Sequence, residues 1–90
     1  MGMNSIDGAE FEPENLKITA KTPSGELVNI GSHVDPSITS GDMIIRIAEN
    51  ALSSNGDVDI KNAEITKIVD ESTGFVMDIV DGKKQVSFIN

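Results

Sequence analysis

The 90-residue chain contains no cysteine, tryptophan or tyrosine, and only three phenylalanines. The lack of cysteine excludes disulfides, thiolate nucleophiles and cysteine-based zinc sites. Secreted domains of this size commonly need disulfides, so we expect a cytoplasmic setting, in a bacterial cell or an infected host. No apolar run approaches the ~18 residues of a membrane span. The first residues lack the basic and apolar regions of a signal peptide, and no membrane association is expected.

Basic residues are also scarce, with 7 Lys and Arg against 15 Asp and Glu and a net charge of −8. Direct nucleic-acid binding is not expected, because phosphate contacts need clustered basic groups and base stacking needs aromatic side chains. Half of the excess negative charge comes from Asp7, Glu10, Glu12 and Glu14, which all precede the first basic residue. We therefore predict an acidic, flexible arm over residues 1–15 and one folded domain over residues 16–90.

The sequence shows no constellation of residues typical of an enzyme or a cofactor site. His33 is the only histidine, and although Asp35 is near it, no second histidine or nucleophile completes a catalytic or zinc pattern. The acids that begin at Asp57 resemble a calcium loop, but Asn62 and Ile68 occupy its required glycine and glutamate positions. We expect a protein that is not an enzyme and that binds no cofactor or metal.

Residues 38–56 contain the one convincing helix. Thr39 is the predicted N-cap, with Ile38 and Met43 placed to form a hydrophobic staple across it. The pair at 55–56, Asn-Gly, predicts the end of the helix. Apolar residues at helical spacing predict one buried stripe, made of Ile44, Ile47, Ala48, Ala51 and Leu52.

The remaining patterns are those of strands and turns. Alternating side chains predict a strand at 16–22, a turn at 23–26 and a return strand at 27–30. After the helix we predict strands at 63–70, 75–80 and 86–89, with Asp81-Gly82 as a two-residue hairpin turn between the last two. The predicted fold is a single α+β domain of order ββαβββ, with one helix packed on a mainly antiparallel, β-grasp-like sheet.

The turns also predict which strand residues lie opposite each other, and hence what each sheet face contains. They place Phe75 opposite Phe88, Ile68 opposite Met77, and Lys67 opposite Asp78. Apolar residues therefore lie opposite apolar residues, and polar residues opposite polar ones. The helix is expected to cover one face, which consists of Ile68, Phe75, Met77, Ile79, Val86 and Phe88. Around the Lys67–Asp78 pair, the other face presents a second apolar set: Ile65, Val69, Val76 and Val80.

No helix remains to cover this second face. Strand twist and the N-terminal arm are one way to hide it, and Phe11 is the arm residue suited to docking on the domain. The other way is a partner surface, formed with a second copy or a different protein. Ile65, Val69, Val76 and Val80 are therefore the predicted partner surface.

The first hairpin and the helix resemble the ubiquitin-like β-grasp family. The likeness covers residues 16–52 and rests on Lys21-Thr22 at the end of a strand, a turn with Gly25, and the segment 34–37 (Val-Asp-Pro-Ser) before a striped helix. It implies a sheet that grips one helix and a role in surface binding. The loop before Val34 is longer than in that family, no Pro-Pro follows the helix, and the last residues are not Gly-Gly. Conjugation is therefore not implied.

The spacing of Gly25, Asp35-Pro36, the helix, Gly56 and Ala63 also resembles small uncharacterised domains of Gram-positive bacteria and their phages. That likeness implies no function.

Two functional hypotheses follow from the sequence. The first is a non-enzymatic protein–protein interaction module, with self-association through the uncovered sheet face as one form of it. The second is a small acidic inhibitor or decoy, for example a phage-encoded anti-defence protein, that blocks a basic or nucleic-acid-binding partner. In the second hypothesis, the acidic arm residues Glu10, Glu12 and Glu14 would make the contact. A small-molecule sensor is a third class, and no motif favours it.

Overall fold

The computed structural model describes residues 14–88 of the chain. The predicted contacts of Glu10, Phe11 and Glu12 lie outside this range. The strands and helices are β1 (Leu16–Lys21), β2 (Leu27–Ser32), α1 (Gly41–Ser53), α2 (Val58–Lys61), β3 (Glu64–Asp70), β4 (Phe75–Val80) and β5 (Lys83–Phe88).

The five strands form one sheet in the order β2-β1-β3-β4-β5, and every pairing is antiparallel. This architecture confirms the predicted α+β domain of order ββαβββ with a mainly antiparallel sheet. Its local geometry follows from the turns. Asp81 and Gly82 both have positive φ, at 52° and 76°, as the two central residues of a type I′ hairpin turn require.

The predicted registers of the last three strands are confirmed. Phe75 lies opposite Phe88, and Ile68 and Lys67 lie opposite Met77 and Asp78. Side chains opposite each other in a sheet share a face. We call the face against α1 the helix side and the other face the open side.

A β-bulge in β3 changes the face on which Ile65 lies. Thr19 pairs with Lys67 but the next residue of β1, Ala20, pairs with Ile65, so that Thr66 is the extra residue. The extra residue reverses the alternation of β3, and Ile65 joins Ile68 on the helix side. Ile65 packs against the core there, and its predicted place on the opposite face was wrong.

Helix α1 begins at Gly41, one residue later than a Thr39 cap would require. Ser40 is its N-cap and makes no side-chain capping bond, so the Thr39 cap was wrong. The predicted staple is absent too, because Met43 is 45% exposed while Ile38 packs against the core. The close contact between Gly41 and Phe75 gives the reason. A Cβ on Gly41 would lie 2.8 Å from the Phe75 ring, so a residue without a side chain must stand at this point.

The core lies between α1 and the middle of the sheet. Ile44, Ala48 and Leu52 are the buried residues of α1, and they repeat at the four-residue spacing of one helix face. The sheet contributes buried residues from its three central strands. The core cluster comprises Leu16, Ile18, Val34, Ile44, Ala48, Ile68, Phe75 and Met77.

A polar network closes the sheet at the end of β3. Asp70 is fully buried, and its carboxylate accepts from the Ser72 amide (3.1 Å), the Ser72 hydroxyl (2.7 Å) and the Thr73 hydroxyl (2.8 Å). The Asn15 side chain donates to Ser72 and exchanges hydrogen bonds with the Val34 backbone at 2.7 and 2.8 Å. Asn15, assigned to the arm from the sequence, is thus a structural residue of the domain.

Gly41→Ala should destabilise the domain although alanine favours helix. The gain in helix propensity is about 1 kcal/mol, but overpacking against a buried ring costs about 1–3 kcal/mol. We expect a net loss of roughly 1 kcal/mol, measured by urea unfolding. Gly56→Ala is the control, since no atom lies within 4 Å of a Cβ there. Equal stability of the two variants would contradict the close contact.

Asp70→Ala should cost about 2–3 kcal/mol, because it removes a fully buried carboxylate and leaves the Ser72 amide and the Ser72 and Thr73 hydroxyls without their acceptor. Asp78→Ala is the matched control. Its carboxylate makes one exposed ion pair with Lys67 at 3.9 Å, which is worth less than about 1 kcal/mol. The free energy of unfolding of both variants is measured by chemical denaturation. An Asp70→Ala variant as stable as the wild type would show that the network does not stabilise this end of the sheet.

Candidate functional site

An apolar groove lies on the helix side, between α1 and the β4–β5 hairpin. Its volume is about 440 Å³. We call it the helix-side groove; its apolar lining is Ile45, Leu52, Ala63, Ile65, Met77 and Ile79, and its polar lining is Glu49, Ser53, Lys61, Glu64 and Lys84.

The groove exists because one helix is narrower than this sheet. Five strands about 4.8 Å apart span about 19 Å, whereas a helix with its side chains is about 10–12 Å wide. Helix α1 packs on β3, and Phe75 and Met77 of β4 are buried in the core beside it. Beyond Met77, the helix side of the hairpin has no covering element among the described residues.

Among residues 14–88, strand β5 is an edge strand whose one pairing partner is β4. All six of its residues are exposed, including Val86 at 53% and Phe88 at 54%. The Phe88 ring meets the Phe75 ring edge to face, with centroids 5.4 Å apart. Through this contact Phe88 continues the core outward to the sheet edge. Val86 and Phe88, together with Met77 and Ile79 beside them, form what we call the helix-side strip.

The four residues of the predicted partner surface do not form one patch. Ile65 lines the helix-side groove. Val69 is half-buried, Val76 is 9% exposed and Val80 is 45% exposed. The open side therefore offers little apolar surface on β3 and β4. Val86 and Phe88, which were expected to lie under the helix, are the more exposed residues.

The open side is mainly polar, and its exposed apolar residues are Leu27 (63%) and Val80 (45%) near the strand ends. Four lysines project from it, one each from β3 and β5 and two from β1, and Lys67 pairs with Asp78 at 3.9 Å. The Thr19 hydroxyl donates to the Asn29 side chain at 3.1 Å. By register, the four lysines are Lys17, Lys21, Lys67 and Lys83.

The Asp35 carboxylate is held in a local turn. It accepts from the Ser37 amide at 2.9 Å and from the Ser37 hydroxyl at 2.7 Å. These two hydrogen bonds, with a smaller effect of nearby His33, hold the pKa of Asp35 below its usual value. A carboxylate stabilised in this way is a poorer base.

The acids that resemble a calcium loop instead begin a helical turn. Asp57 is the N-cap of α2 and accepts from the amides of Asp59 (2.9 Å) and Ile60 (3.4 Å). Within residues 14–88, no group of three or more His, Cys, Asp or Glu side chains is placed to hold a metal ion. In the same range, no helix is long and apolar enough to cross a membrane.

The helix-side groove and strip were missed from the sequence, yet a signal for part of them was present. A single helix of 13 residues cannot cover five strands, and this estimate needs only the strand count and the helix width. The inclusion of Ile65 could not be anticipated, because nothing in the sequence marks the bulge at Thr66.

No protein-family model, curated protein or solved structure matches this chain. The functional evidence therefore comes from its own surface, and the helix-side strip with the adjacent β5 edge is the candidate functional site.

Proposed function

We propose that the protein is an interaction module that self-associates by pairing the β5 strands of two copies. The observation that carries the proposal is that β5, an edge strand within the described part of the chain, has six exposed residues, which include Val86 and Phe88. Unpaired backbone groups along such an edge are a template for another strand. A second copy of the chain supplies the same edge and the same apolar side chains.

The edge has few of the features that prevent strand addition. Natural edges are commonly blunted by proline, by bulges or by charges along the strand. In β5 the charges are confined to Lys83 and Lys84 at its start, and the strand pairs with β4 without a register shift. Its second half, residues 86–88, has no charge and no proline.

The side chains favour one antiparallel register between two copies. With Val86 opposite Val86 of the second copy, each Lys84 lies opposite the second copy's Phe88. This arrangement joins the apolar residues across the two-fold axis and places an ammonium group near an aromatic ring. A shift that set the two Lys84 residues opposite each other would bring like charges together. The pair would form a ten-stranded sheet with both helices on one side.

The acidic inhibitor or decoy hypothesis has no comparable support among the described residues. A nucleic-acid mimic needs a continuous negative surface, but the open side of this sheet carries four lysines. The acids Glu10 and Glu12 lie outside the described residues, and Glu14 lies against β2 of the same chain. Self-association is therefore the one function proposed.

Val86→Lys should convert the dimer to a monomer, because it places two ammonium groups opposite each other at the centre of the interface. We expect the dissociation constant to rise at least tenfold, about 1.4 kcal/mol, measured by sedimentation velocity over a concentration series. Val80→Lys is the matched control. Val80 is a valine of similar exposure, 45% against 53% for Val86, but lies on the open side of β4.

Two results would overturn the proposal. One is a wild-type chain that stays monomeric at millimolar concentration. The other is a Val80→Lys variant that dissociates as readily as Val86→Lys, which would place the interface elsewhere.

A further inference from the structure

The open side carries the positive charge of an otherwise acidic protein. Four of the chain's 7 basic residues lie there, namely Lys17, Lys21, Lys67 and Lys83. Opposite them in the sheet stand two acids, Glu64 beside Lys21 and Asp78 beside Lys67. With Glu14, whose carboxylate lies against Gly31 on the same side, the acids number three against the four lysines. The ligand that fits the remaining positive charge is anionic.

The same chain contains such a ligand. Residues 1–13 include Asp7, Glu10 and Glu12, and no Lys or Arg. Charge complementarity therefore favours binding of this acidic segment to the lysines of the open side.

Glu14, which directly follows this segment, lies on the open side. A Cβ on Gly31 would lie 2.6 Å from the Glu14 Oε1 atom, so this carboxylate lies against the backbone of β2. Gly31 is opposite Lys17 in the sheet, and both face the open side. The last acid of the N-terminal segment is thus already on the lysine-bearing face.

The length of the intervening chain favours one binding position for Phe11 on the open side. Three extended residues reach about 10 Å, which is about two strand spacings. Two spacings from Gly31 on β2 lead across β1 to β3, where Val69 pairs with Val76 of β4. Val69 is half-buried and Val76 is 9% exposed, and they are the apolar pair between Lys17 and Lys67, whereas the more exposed Leu27 and Val80 lie nearer the strand ends. Phe11 is the only aromatic residue of the segment.

We infer that residues 7–12 bind the open side of their own chain, with Phe11 on Val69 and Val76 and with Glu10 and Glu12 beside Lys17 and Lys67. We call this arrangement the intramolecular cover. The contacts with Lys17, Lys67, Val69 and Val76 use β1, β3 and β4 and leave the outer edge of β5 uncovered, so the inference does not depend on self-association.

A single spin label tests the inference, because the chain has no cysteine of its own. We introduce Ala9→Cys, attach a nitroxide and record paramagnetic broadening of methyl signals in the full chain. The methyls of Val69 and Val76 should broaden at least threefold more than that of Ile47 on α1. Glu10→Gln with Glu12→Gln, or Phe11→Ala, should reduce this contrast at least twofold, while Glu49→Gln on α1 leaves it unchanged.

A mixing experiment identifies the chain that supplies the segment. Isotope-labelled protein without nitroxide is mixed with nitroxide-labelled protein of natural isotope content, in wild type and in the monomerising Val86→Lys background. No open-side broadening is expected in either mixture. Broadening between chains, equal broadening of Val69 and Ile47, or stronger broadening on the helix side would each overturn the inference.

Discussion

The width of one helix against five strands is the constraint on which this structure depends. Helix α1 is 13 residues long and about 10–12 Å wide, whereas the sheet spans about 19 Å. The contact of Gly41 with the Phe75 ring fixes the start of the helix over the sheet. The core therefore forms beneath Ile44, Ala48 and Leu52, and the β4–β5 hairpin projects beyond it. The helix-side groove and the exposure of Val86 and Phe88 are consequences of this geometry.

The two sides of the sheet present different chemistry and therefore suit different binding partners. On the helix side the exposed groups are apolar and lie beside a free backbone edge, so a strand with apolar side chains is the fitting partner. On the open side they are mainly lysines around a small valine pair, which suits an acidic segment with one aromatic residue. The proposed dimer and the proposed intramolecular cover therefore occupy separate surfaces. A sheet of this kind can be closed by its own chain on one side and remain available to a second copy on the other.

Local chemistry made much of the fold predictable, and non-local contacts made the rest unpredictable. Asp81-Gly82 favours one turn type, so the register that places Phe75 opposite Phe88 follows from the turn alone. The bulge at Thr66 arises where β3 pairs with β1, far away in sequence, and threonine suits a regular strand equally well. Ile65 was therefore assigned to the wrong face. Thr39 and Ser40 are both good caps, and only the tertiary contact of Gly41 selects between them. The exposed strip at β5 was overlooked because the helix was assumed to cover the whole face.

The central claim is that β5, and not the other edge strand β2, is the site of association. Amide hydrogen exchange at low and high protein concentration tests it strand by strand, because pairing protects the amides that point away from β4. We predict that protection within Lys83–Phe88 rises with concentration while that within Leu27–Ser32 does not change. Exchange that is independent of concentration in both strands, or protection gained in β2 alone, would contradict the account.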